Sequence, residues 1–170
     1  GKAEIYYLDS KGNLVQFTHT PGQYESWSPV PVDGGHVYFT SNQSGKAEIY
    51  YLDSKGKLVQ FTHTPGQYES WSPALSSGGY VYFASNQSGK TEVHYLDLQG
   101  RIHQVTFTPS LYESWSPAPA DGGYIYFSSN QSGKAEVYYL DSKGNLIQFT
   151  HTPGKYKSWI LSSNPDPDIP

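Results

Sequence analysis

Three glutamates recur at one spacing. Glu25, Glu69 and Glu113 each sit in the run Tyr-Glu-Ser-Trp. Carboxylates brought to one channel wall would attract a hard cation, because calcium and magnesium take oxygen ligands. The same side chains are equally suited to capping a loop or facing water. A fourth copy of the run carries Lys157 in that place. The flanking aromatics pair Tyr24 with Trp27, Tyr68 with Trp71 and Tyr112 with Trp115. Such planar groups can stack on sugar faces as ligand-binding platforms. They also suit an apolar core, with the indole N–H bound to a carbonyl.

The remaining chemistry-bearing residues point away from catalysis. His19, His63 and His151 occupy equivalent Thr-His-Thr positions, and Phe107 takes that place in another copy. Equivalent positions on separate repeats lie apart, and no His-x-x-x-His pair exists, so no metal site is expected from them. Ser88-Gly-Lys-Thr91 looks like the end of a phosphate loop but lacks its first glycine, where Ala84 stands. No Gly-x-Ser-x-Gly elbow exists. Asp9, Asp53, Asp97 and Asp141 follow a leucine before a glycine turn, where aspartate bonds the local backbone. Asn42, Asn86 and Asn130 each start Asn-Gln-Ser, a turn cluster and also a glycosylation acceptor pattern.

These residues come in copies because the whole chain does. GKAEIYYLDSKGNLVQFTHTPG at Gly1 returns, slightly altered, at Gly45, Gly89 and Gly133. A period of 44 residues marks a stacked repeat architecture. Within one unit, Glu25–Ser28 reads as a short strand stopped by Pro29, which has no N–H to donate. His36–Thr40 alternates, with Val37 and Phe39 on one face and Tyr38 and Thr40 on the other. Asn42–Gly45 is a turn, Ala47–Asp53 a third strand, Ser54–Gly56 a tight turn and Leu58–Thr62 a fourth strand. No window carries a helical apolar stripe free of glycine and proline. The fold class is therefore all-β, built of four-stranded antiparallel blades.

Composition sets outer limits. The chain has 170 residues, 11 Lys+Arg against 15 Asp+Glu and a net charge of -4. Without a basic run, a nucleic-acid backbone is not expected as partner. No apolar run of about 18 residues exists to form a membrane span. Cysteine is absent, so disulfides and thiolate metal sites are excluded. The chain opens on glycine and lacks methionine, and so reads as a processed or excised piece.

The run SWSP…GGHVYFTSNQSGKAEIYYLDSKGNLVQFTHTPG resembles the WD40-like (PD40) blade of TolB-type β-propellers. The matching positions are Trp27, Ser28 and Pro29, then Phe39, Thr40, Ser41, Asn42 and Ser44, then Glu48, Ile49, Tyr50, Leu52 and Asp53, with Gln60 and Thr62 closing the blade. The family's Pro-Asp-Gly turn is longer here, as Pro-Val-Pro-Val-Asp-Gly-Gly. The resemblance implies a β-propeller, a habit of binding other proteins, and a periplasmic or extracellular setting. It implies no reaction.

On this reading residues 1–163 form one propeller domain. A half blade spans 1–18, and full blades span 24–62, 68–106 and 112–150. An inner strand at 156–161 would belong to a split terminal blade, and 164–170 would be a Pro/Asp-rich tail. Repeats one and two differ only at 13/57, 30/74, 31/75, 32/76, 33/77, 36/80 and 40/84. Near-identical blades allow strands of different chains to substitute for one another. The expected states are thus a homodimer completing an eight-bladed ring, or a four-bladed monomer. The expected function is a non-catalytic binding scaffold for a protein partner or for itself, with no enzyme activity. A multivalent carbohydrate binder is the alternative, and a recently amplified or excised repeat without a specific ligand is a third. No cofactor is expected beyond a candidate calcium or magnesium at Glu25, Glu69 and Glu113.

Overall fold

The computed structural model describes residues 1–160. Its strands fall into four antiparallel sheets. The first is a pair, β1 (Tyr6–Leu8) with β2 (Leu14–Gln16). The next contains β3 (Ser26–Val32), β4 (His36–Ser41), β5 (Glu48–Leu52) and β6 (Leu58–Gln60) in sequence order. Then come β7 (Ser70–Leu75), β8 (Val81–Ser85), β9 (Glu92–Leu96) and β10 (Ile102–Gln104). The last sheet holds β11 (Ser114–Ala120), β12 (Tyr124–Ser129), β13 (Glu136–Leu140) and β14 (Leu146–Gln148). A single 3-10 turn, Asp121–Gly123, is the helical content of the described residues.

Each β5–β6 type hairpin turns at a glycine with positive φ, such as Gly56 at 80°. A side chain there would be strained, which is why the Ser-Lys-Gly run makes the turn. Asp53 stabilises the same turn. Its Oδ1 accepts from the N–H of Lys55 at 2.9 Å and of Lys57 at 2.8 Å.

The expected stop at Pro29 is wrong. β3 runs through it to Val32 because the strand bulges. Trp27 pairs with Thr40 and Val30 with Tyr38, so Ser28 and Pro29 together oppose Phe39. The bulge lifts Pro29 out of the ladder, where its missing N–H costs nothing. Ser28 takes φ 51°, and Ser72 and Ser116 do the same at 53° and 49° in β7 and β11.

The expected inner strand at 156–161 also departs from the structure. Residues 156–160 form no strand, and residue 161 and the tail lie outside the described residues. Extended pairing needs a second strand, and none lies beside this segment among the described residues. The segment nevertheless docks as the other inner strands do. Ser158 N–H donates to Ala135 O at 3.0 Å, as Ser70 N–H does to Ala47 O at 2.9 Å.

The core lies between sheets rather than inside them. Ile5 packs with Phe39 and Tyr50 of the next sheet, flanked by Phe17, Val37 and Leu52. Ile49 packs likewise with Phe83 and Leu96, flanked by Tyr38, Phe61 and Ile102. Val93 packs with Phe127 and Tyr138, flanked by Tyr82, Val105 and Leu140. Strand alternation assigns these residues to two faces. The forward face of each sheet, as with Tyr38, Ile49 and Phe61, lies on the rear face of the next, as with Phe83, Leu96 and Ile102.

Candidate functional site

The most highly built polar arrangement is a buried glutamate in every repeat. Glu48 opens β5 and is fully buried. One carboxylate oxygen accepts from the Thr62 hydroxyl at 2.5 Å and the Thr64 hydroxyl at 2.8 Å. The other accepts from the Thr64 N–H at 2.9 Å and faces the Lys46 ammonium at 3.4 Å. The Thr64 hydroxyl also meets Ser70 Oγ at 2.7 Å, at the start of the next sheet. One carboxylate thus ties its own strand, the crossover segment and the following sheet. A charge buried without such partners would cost several kcal/mol, or about as much as the fold can spare.

The same set recurs at Glu92 with Thr106 and Thr108, and at Glu136 with Thr150 and Thr152. It recurs again at Glu4 with Thr18 and Thr20. Burial pushes the Glu4 and Glu136 carboxyls up, and the hydroxyl, amide and lysine donors together outweigh it, leaving both below the usual carboxylate value. These glutamates were not singled out from sequence as a site. The available signal was a carboxylate held inside Ala-Glu-Ile in an apolar strand, with two threonines flanking one histidine downstream. The histidines between those threonines, His19, His63 and His151, point outward and are exposed.

The candidate cation residues do something simpler. Glu25 Oε1 accepts from the Ala3 N–H at 3.0 Å, Glu69 Oε1 from Ala47 at 3.0 Å and Glu113 Oε1 from Thr91 at 3.2 Å. Each caps the segment that leads into β1, β5 or β9 of the preceding sheet. Among the described residues, no three His, Asp or Glu side chains converge to hold a metal. Asn42 completes this corner, its Oδ1 accepting from the Glu25 N–H at 2.7 Å.

Tyr24, Tyr68 and Tyr112 are exposed, and Trp27, Trp71 and Trp115 are half-buried in the inner strands. The Trp27 indole N–H is buried without a partner. The aromatic contacts lie elsewhere, as stacked pairs such as Phe39 and Tyr50 on the rear faces and as larger clusters on the forward faces. Tyr38 meets Tyr51 at 4.9 Å and Phe61 at 5.1 Å. Tyr126 meets Tyr139 at 5.3 Å and Phe149 at 5.6 Å.

One constellation is not repeated. Asp97 Oδ2 accepts from Arg101 Nε at 2.7 Å and lies 2.9 Å from His103 Nε2, with the His103 ring stacked on Tyr95 at 4.7 Å. Burial pushes the Asp97 carboxyl up, but His103, Arg101 and the turn amides hold it well below the usual range. No hydroxyl or thiol nucleophile takes part in this set. It braces a hairpin.

Solved structures decide the architecture. TolB from Acinetobacter baumannii matches with a TM-score of 0.70 at 19% identity, over 86% of this chain and 37% of that one. The fold is a β-propeller. Putative TolB from Agrobacterium tumefaciens matches with a TM-score of 0.73 at 17% identity, covering 93% of this chain and 58% of that one. A catalytically inactive virginiamycin B lyase from Staphylococcus aureus, solved with quinupristin, matches at 0.65 and 14% identity, over 89% and 49%. The chain therefore spans well under two thirds of these proteins. The TolB resemblance of the β-propeller blades holds at the level of fold. No protein-family model matches the sequence, and no curated protein matches it.

Proposed function

We propose that the chain is a non-catalytic β-propeller scaffold that acts by binding protein. The observation that carries this reading is the use of its carboxylates. Glu48, Glu92 and Glu136 are fully buried and spend their lone pairs on the same threonines in each repeat. A catalytic site needs groups in distinct roles around one reacting atom, whereas these are copies of one structural role. Fold alone does not decide function, since propellers of similar shape include a lyase and peptidases. The test is a turnover panel of ester, lactone and peptide substrates. No turnover is expected, and a turnover abolished by one side-chain substitution would refute the scaffold reading.

A second reading, multivalent carbohydrate binding, draws on Tyr24, Tyr68 and Tyr112, which are 36%, 38% and 38% exposed at equivalent places. Exposed rings at a repeated spacing suit several sugar units at once. Glycan titration monitored by tryptophan fluorescence tests it, because Trp27, Trp71 and Trp115 lie three residues along. An unchanged spectrum across a glycan panel removes it.

A further inference from the structure

We propose that two copies of this chain join head to tail, the rear face of β1–β2 in one copy seating on the forward face of β11–β14 in the other. This deepens the scaffold reading and rests on it. The motive is that both faces are copies of surfaces the protein already buries against each other three times. At the internal joints the rear-face residues are Tyr50 and Leu52, or their equivalents, and they meet forward-face residues such as Ile5 and Phe17. On β1–β2 the equivalent rear residues are Tyr6 and Leu8, and they are 49% and 68% exposed. On the last sheet the equivalents of Ile5 and Phe17 are Val137 and Phe149, and Phe149 is 60% exposed. Tyr50, by contrast, is 4% exposed and Ile49 fully buried. Exposed apolar faces of this kind are what protein interfaces cover.

A second observation sets the occupant. The forward face of the last sheet already carries the first part of a following inner strand. Thr152 Oγ1 meets Ser158 Oγ at 2.6 Å, and Ile160 N–H donates to Ser128 Oγ at 2.8 Å. The corresponding bond at an internal joint is Ser72 N–H to Thr40 Oγ1 at 3.2 Å. The seat thus holds a segment bonded as the start of an inner strand is, and shows an open apolar surface where outer strands belong. β1–β2 is an outer pair, with its own Glu4 set complete, showing the rear surface such a seat takes. Because the two surfaces differ, the joint is heterologous, and two such joints between two copies close on themselves.

The experiment is light scattering on the 170-residue protein and on face variants. Wild type is expected at twice the chain mass. Phe149→Glu spoils the forward face and Leu8→Glu the rear face, both at exposed positions. Each alone is expected at the mass of one chain, with an unchanged circular dichroism spectrum. Mixing the two is expected to restore a 1:1 dimer, because one intact joint remains between a good rear face and a good forward face. Leu98→Glu, exposed but outside both faces, should leave the dimer intact. A monomeric wild type overturns the proposal, and so does a mixture that stays monomeric. Neither result bears on the scaffold reading, which turnover alone refutes.

Discussion

The sheet β3–β6 and the sheet β7–β10 are built on one plan and differ in a telling way. Both hold the buried glutamate, Glu48 or Glu92, with its two threonines and lysine. Around that set the second sheet has changed. His94 stands where the first has Tyr50, Arg101 and His103 where it has Lys57 and Val59, and Phe107 where it has His63. The interior lock stays the same while side chains around it and on the rim drift. A residue that satisfies several buried partners at once cannot be exchanged singly, whereas a rim residue answers only to solvent.

The comparison breaks most visibly at the lock. Glu48→Ala and Glu92→Ala strand two threonine hydroxyls, a backbone N–H and a lysine each. Each is expected to destabilise by about 3 kcal/mol, since each orphaned buried group costs about 1–3 kcal/mol. Urea denaturation measures this. If the two variants differ by more than about 1 kcal/mol, the sheets are not equivalent and the shared plan fails as an explanation. Replacing Thr62 with valine should cost less, as the glutamate loses one donor and the Ile49 N–H loses the Thr62 hydroxyl as acceptor, while the Thr64 and Lys46 partners stay.

The strands were legible because alternation and Asn/Gly turns are local signals. Val37 and Phe39 face together as the pattern says, and Asp53 sits in its turn. The passage of β3 through Pro29 was not legible, because a bulge depends on the partner strand's register. The glutamate lock was hidden for a related reason. Glu48 meets Thr62 and Thr64 across 14 and 16 residues, a separation that no local pattern marks. Glu25, Glu69 and Glu113 do not converge among the described residues, because each one caps a different sheet.

The second-largest effect concerns pH. Burial holds the His94 pKa below the ordinary 6.5. A group whose folded pKa is depressed contributes stability above its unfolded value and loses it as pH falls through the folded one. Stability of the protein should therefore start to fall below about pH 6.5. His94→Tyr, which installs the residue of the first sheet, should remove that early decline. The Glu4 and Glu136 carboxyls have the same sign but act lower. Their contribution is present above the ordinary 4.5 and goes as pH falls beneath it. Thermal unfolding from pH 7 to pH 3 separates the two windows. A His94→Tyr curve parallel to wild type would show that His94 is not the cause.

The paired hairpins give a smaller contrast. Asp97→Asn should lower the melting temperature more than Asp53→Asn, because Asp97 also binds Arg101 and His103. Its carboxyl is held well below the ordinary 3.8, so the excess should persist at pH 5 and vanish in strong acid. Equal losses at pH 5 would mean that the extra partners add nothing beyond the turn amides.

The rim should show almost no effect on folding. Phe107 is 77% exposed, and Leu111 nearby is 92% exposed. Phe107→His restores the residue found in the other three copies. An exposed side chain removed from no packing changes stability within about 0.5 kcal/mol. The expected outcome is a coincident urea curve. A loss above about 1 kcal/mol would show that the drift at the rim was constrained after all, and that Phe107 packs in solution on something the folded chain supplies. A coincident curve confines the constraint to the interior, where every copy has kept the same glutamate, the same two threonines and the same lysine.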